Sequence, residues 1–263
     1  MFTWRHILWL ALCLIATAAA QYVYHRKRPS LEKVLTVALI ISILSEIVKV
    51  ASVIEMVPSS GGALLLPYLP LNHLPLHFCS IQIVLIAFVR FTKDEGKRET
   101  VLAFMYSTCI LGAVMALLMP SIFTTSISVE QAFTSPLAYQ FFVFHTMLIN
   151  LGVIIVRSGV IRWQRRHFTS TLMLVYLMGF VSIYLNSLFA SPRYVDGKLI
   201  SVDFWTNFFF TYQNPLNIRL TALWQWYVYL LLIAALAAAL LYLMYRPLIR
   251  RQADPAPSPE RVG

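Results

Sequence analysis

Long apolar stretches dominate this sequence and restrict the folds that it can adopt. Several runs of mainly apolar residues follow one another, each close to the roughly 20 residues that a helix needs to cross a bilayer. They cover residues 7–25, 34–57, 74–92, 100–119, 136–157, 168–190 and 222–245. The chain is 59% hydrophobic and 12% charged, whereas a soluble domain averages about 25% charged residues. We therefore predict an all-α membrane protein, a bundle of seven transmembrane helices.

The basic residues predict how this bundle is oriented. Lys and Arg concentrate in alternate connections, whereas residues 58–73 and 120–135 contain neither. The basic segments are residues 26–33, 90–98 and 157–166 and the C-terminal tail. Because basic connections stay in the cytoplasm, we expect the N-terminus outside and the C-terminus in the cytoplasm. The last outer loop, with Arg193, Lys198 and Arg219, is the exception. Charge in short blocks of this kind indicates membrane orientation rather than a nucleic-acid partner.

Domain organisation follows from the same pattern. Residues 1–248 form one transmembrane domain, and the Pro-rich, polar residues 249–263 are expected to be a disordered cytoplasmic tail. The segment "MFTWRHILWLALCLIATAAA" also resembles a cleavable signal peptide. Cleavage would leave the basic stretch "QYVYHRKR" outside, against the charge pattern. We therefore predict a multi-pass protein of the cytoplasmic membrane that retains this first span.

The second apolar run carries a stripe of polar side chains. Ser42, Ser45, Glu46, Lys49 and Ser52 recur every three to four residues, so they share one helix face, which we expect to face the bundle interior. Glu46 is predicted near the bilayer midplane, with Lys49 one turn away to neutralise it. Both a structural ion pair and a catalytic or transport role remain open, because charged groups in spans are usually paired or functional.

A histidine and a cysteine begin the third run, in "HLPLHFCSIQIVL". Pro75 suits a first helical turn, and a thiol near a helix start has its thiolate stabilised by the unpaired N–H groups, which makes Cys79 a candidate nucleophile. Residues two apart on an ideal helix point about 200° away from each other. His77 therefore reaches Cys79 only if the segment is distorted around Pro75, and an inert buried cysteine remains an alternative. His73 and His77 suit zinc by their spacing, but no third ligand accompanies them. We predict no metal and no cofactor.

Two later segments add candidate residues. In "SPLAYQFFVFHTMLIN", His145 lies about 13 Å along the helix from Pro136, a few Å deeper than Cys79, and we expect the two side chains to share one cavity in the outer half of the bundle. The last outer loop is rich in aromatic residues, which predicts an interfacial segment over the outer mouth of the bundle. Asn207, Asn214 and Pro215 are expected to stabilise a re-entrant turn there. Anchoring at the lipid headgroups and contact with a substrate are both open for this loop.

Three stretches carry a resemblance to known proteins. "LPLHFCSIQIVL", "SPLAYQFFVFHTMLI" and "NFFFTYQNP" resemble the YwaF family of bacterial integral membrane proteins and its distant eukaryotic relative, the transmembrane protein 164 family. The resemblance covers nearly the whole chain and is most specific in the LPLHxC element, while the final loop is longer than typical. It implies a seven-helix protein and, through the eukaryotic relatives, acyl transfer on phospholipids. Carried over by position, it implies Cys79 as nucleophile and His77 or His145 as base.

The resulting hypothesis is a lipid acyltransferase or transacylase in the outer half of the membrane. Glu46 or Asn186 would orient the imidazole, and the acyl chain would enter sideways between spans. The partners are membrane lipids, and nucleic acid is not among them. Side chains expected to contact substrate are Lys49, Gln82, Asn207 and Asn214. The alternatives are a carrier or sensor built on the Glu46–Lys49 pair and His145, and a scaffold with a structural polar core.

Overall fold

A computed structural model describes residues 2–59, 62, 64–215 and 218–253. Most of these residues are helical, and six of the helices are long and apolar enough to cross a membrane, so the chain is a multi-pass membrane protein. In chain order the helices are α1 (Trp4–Lys27), α2 (Leu31–Val53), α3 (Phe78–Phe91), α4 (Glu95–Leu118), α5 (Ile122–Thr125), α6 (Pro136–Arg157), α7 (Arg165–Leu188) and α8 (Leu223–Ala253). All but α3 and the one-turn α5 are of membrane-spanning length.

The third predicted span is shorter than expected. Residues 74–92 were predicted to be helical from Pro75 onward, but α3 begins only at Phe78. Leu74 is extended, as the residue before a proline tends to be, and His77 is the extended N-cap. The 14 residues of α3 rise about 21 Å, less than the roughly 30 Å of a bilayer core. Pro75 therefore lies in the irregular segment before the helix.

The centre of the bundle is formed by α4 and α6. In each of these two helices, 56% of the residues in the most apolar 18-residue stretch are buried, compared with 6% in α8. A helix that is apolar on all sides packs at the centre of its bundle, and α6 contacts α1, α2 and α4. At Gly152 an added Cβ would lie 2.9 Å from the carbonyl oxygen of Tyr106, so α4 and α6 approach closely there. Helix α8 contacts α7 and is tied to α4 by Tyr245, whose hydroxyl donates to the carbonyl oxygen of Ala103 at 2.5 Å.

Two β-hairpins depart from the all-helical prediction. β1 (Glu55–Pro58) pairs with β2 (Leu65–Tyr68), and β3 (Ala190–Val195) pairs with β4 (Lys198–Phe204), both antiparallel. Asp196 and Gly197, at the tip of the second hairpin, have φ angles of 50° and 75°. Positive φ at both central residues is the signature of a two-residue hairpin turn, for which Asp-Gly is a preferred sequence. The sequence "RYVDGKLIS" therefore contains the residues that indicate a β-hairpin.

Both ends of the chain bear on the predictions. The predicted tail begins at residue 249, but α8 continues to Ala253, and residues 254–263 lie outside the described part of the chain. Residues 4–20 belong to α1, which is packed into the bundle. His6 Nε2 donates to the carbonyl oxygen of Leu117 at 2.8 Å, and Trp9 Nε1 donates to that of Ala132 at 2.8 Å.

The connections alternate between two ends of the bundle. One end, which we call the basic end, contains residues 26–33, 90–98, 157–166 and 246–253. Side-chain contacts join these segments: Glu32 pairs with Arg98, Glu99 pairs with Arg166, and Gln252 donates to the carbonyl oxygen of Ile161. The opposite end, which we call the histidine end, comprises residues 54–59, 64–78, 119–136, 189–215 and 218–222. It carries both hairpins, His73, His77 and the irregular start of α3.

Candidate active site

Cys79 lies at the interface of α3 and α4. It is the second residue of α3, and its side chain faces Gly112 of α4, where an added Cβ would lie 3.3 Å from Sγ. Cys79 is 9% exposed. The sulfur therefore points into the protein and not toward lipid, in the first turn of a helix whose start is at the histidine end.

A buried polar network lies one turn further along α3. Gln82 Nε2 donates to the carbonyl oxygen of Phe78 at 3.2 Å and to Thr108 Oγ1 at 2.9 Å. Its Oε1 accepts a hydrogen bond from Cys109 Sγ at 3.2 Å, and Cys109 also interacts electrostatically with Cys79. Gln82 was predicted to contact substrate, but its amide here joins α3 to α4 beside the Cys79 thiol.

His77 sits directly at the start of α3. Its Nε2 donates to the carbonyl oxygen of Asn72 at 3.4 Å, which leaves Nδ1 with its lone pair. The ring lies edge-on to Phe208, with 4.8 Å between centroids. The extended backbone of His77 is the distortion near Pro75 that the sequence required for His77 to approach Cys79. No hydrogen bond joins the His77 ring to Cys79 Sγ in the described coordinates.

His145 supplies a second imidazole from α6. Its Nδ1 donates to the carbonyl oxygen of Phe141 at 2.6 Å, and the two rings lie 4.3 Å apart. Within residues 2–59, 64–215 and 218–253 its Nε2 has no hydrogen-bond partner, and Cys79 Sγ is not bonded to it. An electrostatic interaction links His145 to His77. Each imidazole thus keeps one nitrogen able to accept a proton.

The charged pair of α2 lies within interaction range of His73 and His77. Lys49 Nζ is 2.7 Å from Glu46 Oε1, so the expected neutralisation occurs. Lys49 interacts electrostatically with both His73 and His77, and Glu46 with His73. Burial and Lys49 together lower the pKa of His73, and Glu46 opposes them. Glu46 was predicted to orient a catalytic imidazole, but among the described residues its contact is with Lys49.

The polar stripe of α2 faces the interior only in part. Ser42 and Ser45 are buried, and Gln140 Nε2 donates to Ser45 Oγ at 2.7 Å. Ser52, predicted on the same face, is exposed and bonds to the carbonyl oxygen of Val48. The stripe therefore ends near Lys49, where α2 approaches the histidine end.

Asn186 is positioned differently from the prediction. It was expected to orient an imidazole, but its amide is fully occupied by the loop after β4. Nδ2 donates to the carbonyl oxygen of Phe208 at 3.1 Å and to Thr211 Oγ1 at 3.0 Å. Oδ1 accepts from Thr206 Oγ1 and from the backbone N–H of Phe208, both at 2.9 Å. Asn186 thus reaches His77 only indirectly, by fixing Phe208.

The remaining loop residues bond to backbone groups of their own loop, and the re-entrant turn stays a prediction. Asn207 Oδ1 accepts from the N–H groups of Tyr212 and Gln213 at 3.2 and 3.1 Å. Asn214 Oδ1 accepts from the N–H of Ile218 at 2.8 Å. Both side chains, predicted to contact substrate as an alternative, are engaged by backbone groups of the loop.

Aromatic residues of this loop cover the start of α3. We call residues 206–211 the aromatic cap. Phe209 and Phe210 have φ angles of 59° and 54°, a conformation that non-glycine residues adopt at a cost of about 1–3 kcal/mol each. Phe209 packs on Phe78, with 4.1 Å between ring centroids. Phe208 and Phe209 were not among the predicted site residues, although "NFFF" lies in the loop that was expected to cover the outer mouth of the bundle.

A zinc site does not form from the two histidines considered for it. His73 Nε2 lies 3.3 Å from Ser126 Oγ, and His77 Nε2 is bonded to Asn72. Among the described residues there is no group of three His, Cys, Asp or Glu side chains that would hold a metal ion.

Comparison with known proteins places the chain in a family. The model of the TMEM164 family matches residues 1–245, a range that contains every candidate site residue. No curated protein and no solved structure matches the chain. The match confirms the predicted relationship to the transmembrane protein 164 family, and the resemblance to the YwaF family stays a prediction.

Proposed function

Since this chain belongs to the TMEM164 family, we propose that it is a membrane acyltransferase that moves a fatty-acyl group between lipids through Cys79. One observation carries the proposal. Cys79 is buried against α4 in the first turn of a short helix, and His77 is the N-cap residue of that helix, two positions before it in the chain. A nucleophile beside a group able to take its proton is the arrangement that covalent acyl transfer needs.

The proposed reaction has two steps. The Cys79 sulfur attacks the carbonyl carbon of a fatty-acyl ester, an S–C bond forms, and the C–O bond to the donor lipid breaks. The thiol proton passes to an imidazole and then to the departing alkoxide. In the second step an acceptor hydroxyl attacks the thioester carbon, gives its proton to the imidazole, and the sulfur leaves and regains a proton.

Two histidines are candidates for the base. His77 is closest to Cys79 in the chain, with Nδ1 available, and His145 presents an unpaired Nε2 from α6. Catalytic hydrogen bonds are often long without substrate and tighten in the reacting complex, so the lack of a bond from either ring to Cys79 is compatible with both. Asn186 acts as a positioning residue, since it fixes the aromatic cap against His77.

The depth of the thiol suits a lipid substrate. Helix α3 rises about 18 Å between Cys79 and Phe91. If Phe91 lies at the boundary of the hydrocarbon core on the side of the basic end, the Cys79 sulfur lies beyond the middle of this roughly 30 Å layer, in the half nearer the histidine end. Following the charge pattern, we place this half on the outer side of the cytoplasmic membrane. An acyl chain then enters sideways between helices from the bilayer.

Acyl transfer between defined lipids tests the proposal. The purified full chain in nanodiscs is given a phospholipid with deuterated acyl chains and a lysophospholipid acceptor, and products are measured by mass spectrometry. Cys79→Ala should lower transfer by a factor of at least about 10³, and an acyl adduct sensitive to hydroxylamine should be found on Cys79 of the unsubstituted protein. His77→Ala and His145→Ala, compared in the same assay, identify the base by the larger loss.

Cys13→Ala is the matched control, since Cys13 is also a buried cysteine, on α1. It should leave transfer unchanged. Undiminished transfer by Cys79→Ala would reject the mechanism, and the lack of any transfer by the unsubstituted protein would reject the activity with these lipids.

A further inference from the structure

A cavity at the basic end has no role in the proposed reaction. It measures about 410 Å³ and lies between the α1–α2 connection and the C-terminus of α6, at the opposite end from Cys79. Its size is within the range of about 300–1,000 Å³ typical of small-ligand sites. The lining residues are Tyr24, His25, Arg28, Pro29, Ser30, Leu31, Arg157, Ser158 and Val160.

Arg157 brings an unneutralised charge to this cavity. Its Nη1 donates to Gln21 Oε1 at 2.9 Å and its Nη2 to His25 Nδ1 at 3.5 Å. The guanidinium also lies over the ring of Tyr24, 5.5 Å from the centroid. None of these three partners is a carboxylate, so they orient the guanidinium without an ion pair that would cancel its charge.

Arg28 adds a second positive charge to the same cavity. It is the C-cap of α1 in the left-handed conformation, with φ 42° and ψ 53°, and this backbone turn puts it on the cavity wall. No carboxylate pairs with Arg28 or Arg157 in the described part of the chain. The nearby acidic side chains pair elsewhere: Glu32 with Arg90 and Arg98, and Glu99 with Arg166.

The start of α2 also borders the cavity. Leu31, the first residue of α2, is a lining residue, and the first N–H groups of a helix have no partner within it. Ser30, the N-cap, lies beside it on the same wall. Two guanidinium groups and a helix start around one cavity match the chemistry of a phosphate group, which accepts several hydrogen bonds and carries negative charge.

We propose that this cavity binds a phosphate group at the basic end, either the headgroup of an anionic phospholipid or a soluble phosphate. Basic pockets between transmembrane helices on the cytoplasmic side are suited to anionic headgroups, and the cavity opens where the lipid headgroups are expected. The proposal does not depend on acyl transfer at Cys79.

Thermal unfolding of the full chain in detergent tests this site. The protein is titrated with phosphatidylglycerol, with phosphatidylcholine, or with inorganic phosphate. A ligand that binds only the folded state raises Tm as its concentration exceeds its Kd. We expect phosphatidylglycerol to raise Tm, phosphatidylcholine to leave it unchanged, and the Arg28→Gln/Arg157→Gln variant to lose more than half of the increase. Arg28→Gln alone, at an exposed residue, provides the test if the double variant does not fold.

Arg26→Gln/Arg162→Gln is the matched control, because it removes two charges from the same two connections without touching the cavity wall. It should keep the full increase in Tm. A Tm increase with inorganic phosphate that the cavity variant also loses would identify a soluble phosphate as the ligand. Equal losses in both double variants would show attraction to surface charge only and overturn the proposal, as would the absence of any increase with either anion.

Discussion

The two ends of the bundle are held together by different interactions. At the basic end, carboxylates join separate elements: Glu32 of α2 contacts Arg90 and Arg98, and Glu99 of α4 contacts Arg166. At the histidine end the central connection is the buried amide of Asn186, which binds four groups of the aromatic cap. Exposed ion pairs contribute little and are screened by salt, whereas buried amides are costly to leave unpaired.

This difference suits the two ends of the bundle to different tasks, a chemical reaction at the histidine end and attachment to anions at the basic end. A buried, uncharged network holds side chains in fixed positions, which a reacting thiol and imidazole require. Ion pairs at a water-exposed end tolerate movement and exchange partners with anions. We therefore expect substitutions at the histidine end to change activity and stability together, and those at the basic end to change mainly the response to salt and to lipid charge.

Among substitutions that compare the two ends of the bundle, the largest effect is expected from Asn186→Ala. This change leaves the backbone N–H of Phe208 and the hydroxyl of Thr206 without their acceptor in a buried site, which costs about 1–3 kcal/mol for each unpaired group. The aromatic cap should then separate from His77. We expect transfer to fall at least about tenfold, a change equivalent to about 1.4 kcal/mol or more in the barrier, and Tm to fall as well, as measured by the nanodisc assay and by thermal unfolding.

Asn150→Ala on α6 is the control for loss of a buried amide. Asn150 Nδ2 donates to the carbonyl oxygen of Thr146 at 2.9 Å, and its Oδ1 accepts from Gln21 Nε2 at 2.9 Å, remote from the aromatic cap. It should lower Tm while the remaining folded protein keeps its transfer rate. Equal losses of rate in both variants would contradict a specific role for Asn186.

A smaller effect is expected from Gly112→Ala. The new methyl group would lie 3.3 Å from Cys79 Sγ and 3.5 Å from Phe78 Cβ, so the thiol must shift by a few tenths of an ångström. We expect slower labelling of Cys79 by a lipid-like electrophile, with the free energy of unfolding changed by about 1 kcal/mol or less, as for modest overpacking. Labelling rates are read from mass spectra of the modified peptide.

Gly179→Ala on α7 serves as the comparison. No atom lies within 4 Å of the added Cβ at Gly179, and alanine in a helix interior is favoured over glycine by about 0.5–1 kcal/mol. This variant should be slightly more stable and should label at the original rate. Faster labelling in Gly112→Ala would mean that the thiol is released rather than crowded.

The sequence predicted the long helices well because their signal is local. A run of apolar residues needs no distant partner to be recognised, and α6 begins and ends at the predicted residues 136 and 157. The start of α3 was misplaced because Pro75 also suits a loop, and the choice depends on what packs around it. The Asp-Gly pair at the tip of the second hairpin indicates a two-residue turn, but the prediction considered only membrane-spanning helices and did not include this hairpin.

The site was less accessible to sequence reasoning because its contacts are distant in the chain. Cys79 and His77 can be recognised as candidate site residues from their residue types and from the residues next to them in the chain. That Asn186 would bind Phe208, 22 residues further on, and that Phe208 would pack on His77 depends on how a loop folds back over the bundle. No spacing rule in the sequence encodes that contact.

The smallest effect is expected from Glu32→Gln at the basic end. The Glu32 carboxylate is half-exposed and contacts Arg90, at 3.4 Å, and Arg98. Since exposed pairs contribute about 0–1 kcal/mol each, the loss in stability should stay near 1 kcal/mol at low salt and shrink further at about 1 M salt, where the Debye length is about 3 Å. Glu130→Gln at the histidine end, where Arg5 lies 3.9 Å from an exposed carboxylate, should have no measurable effect at either salt concentration. If the loss in stability of Glu32→Gln persists at high salt, hydrogen bonding rather than charge stabilises the basic end. The two ends would then differ in where their interactions lie and not in the kind of interaction.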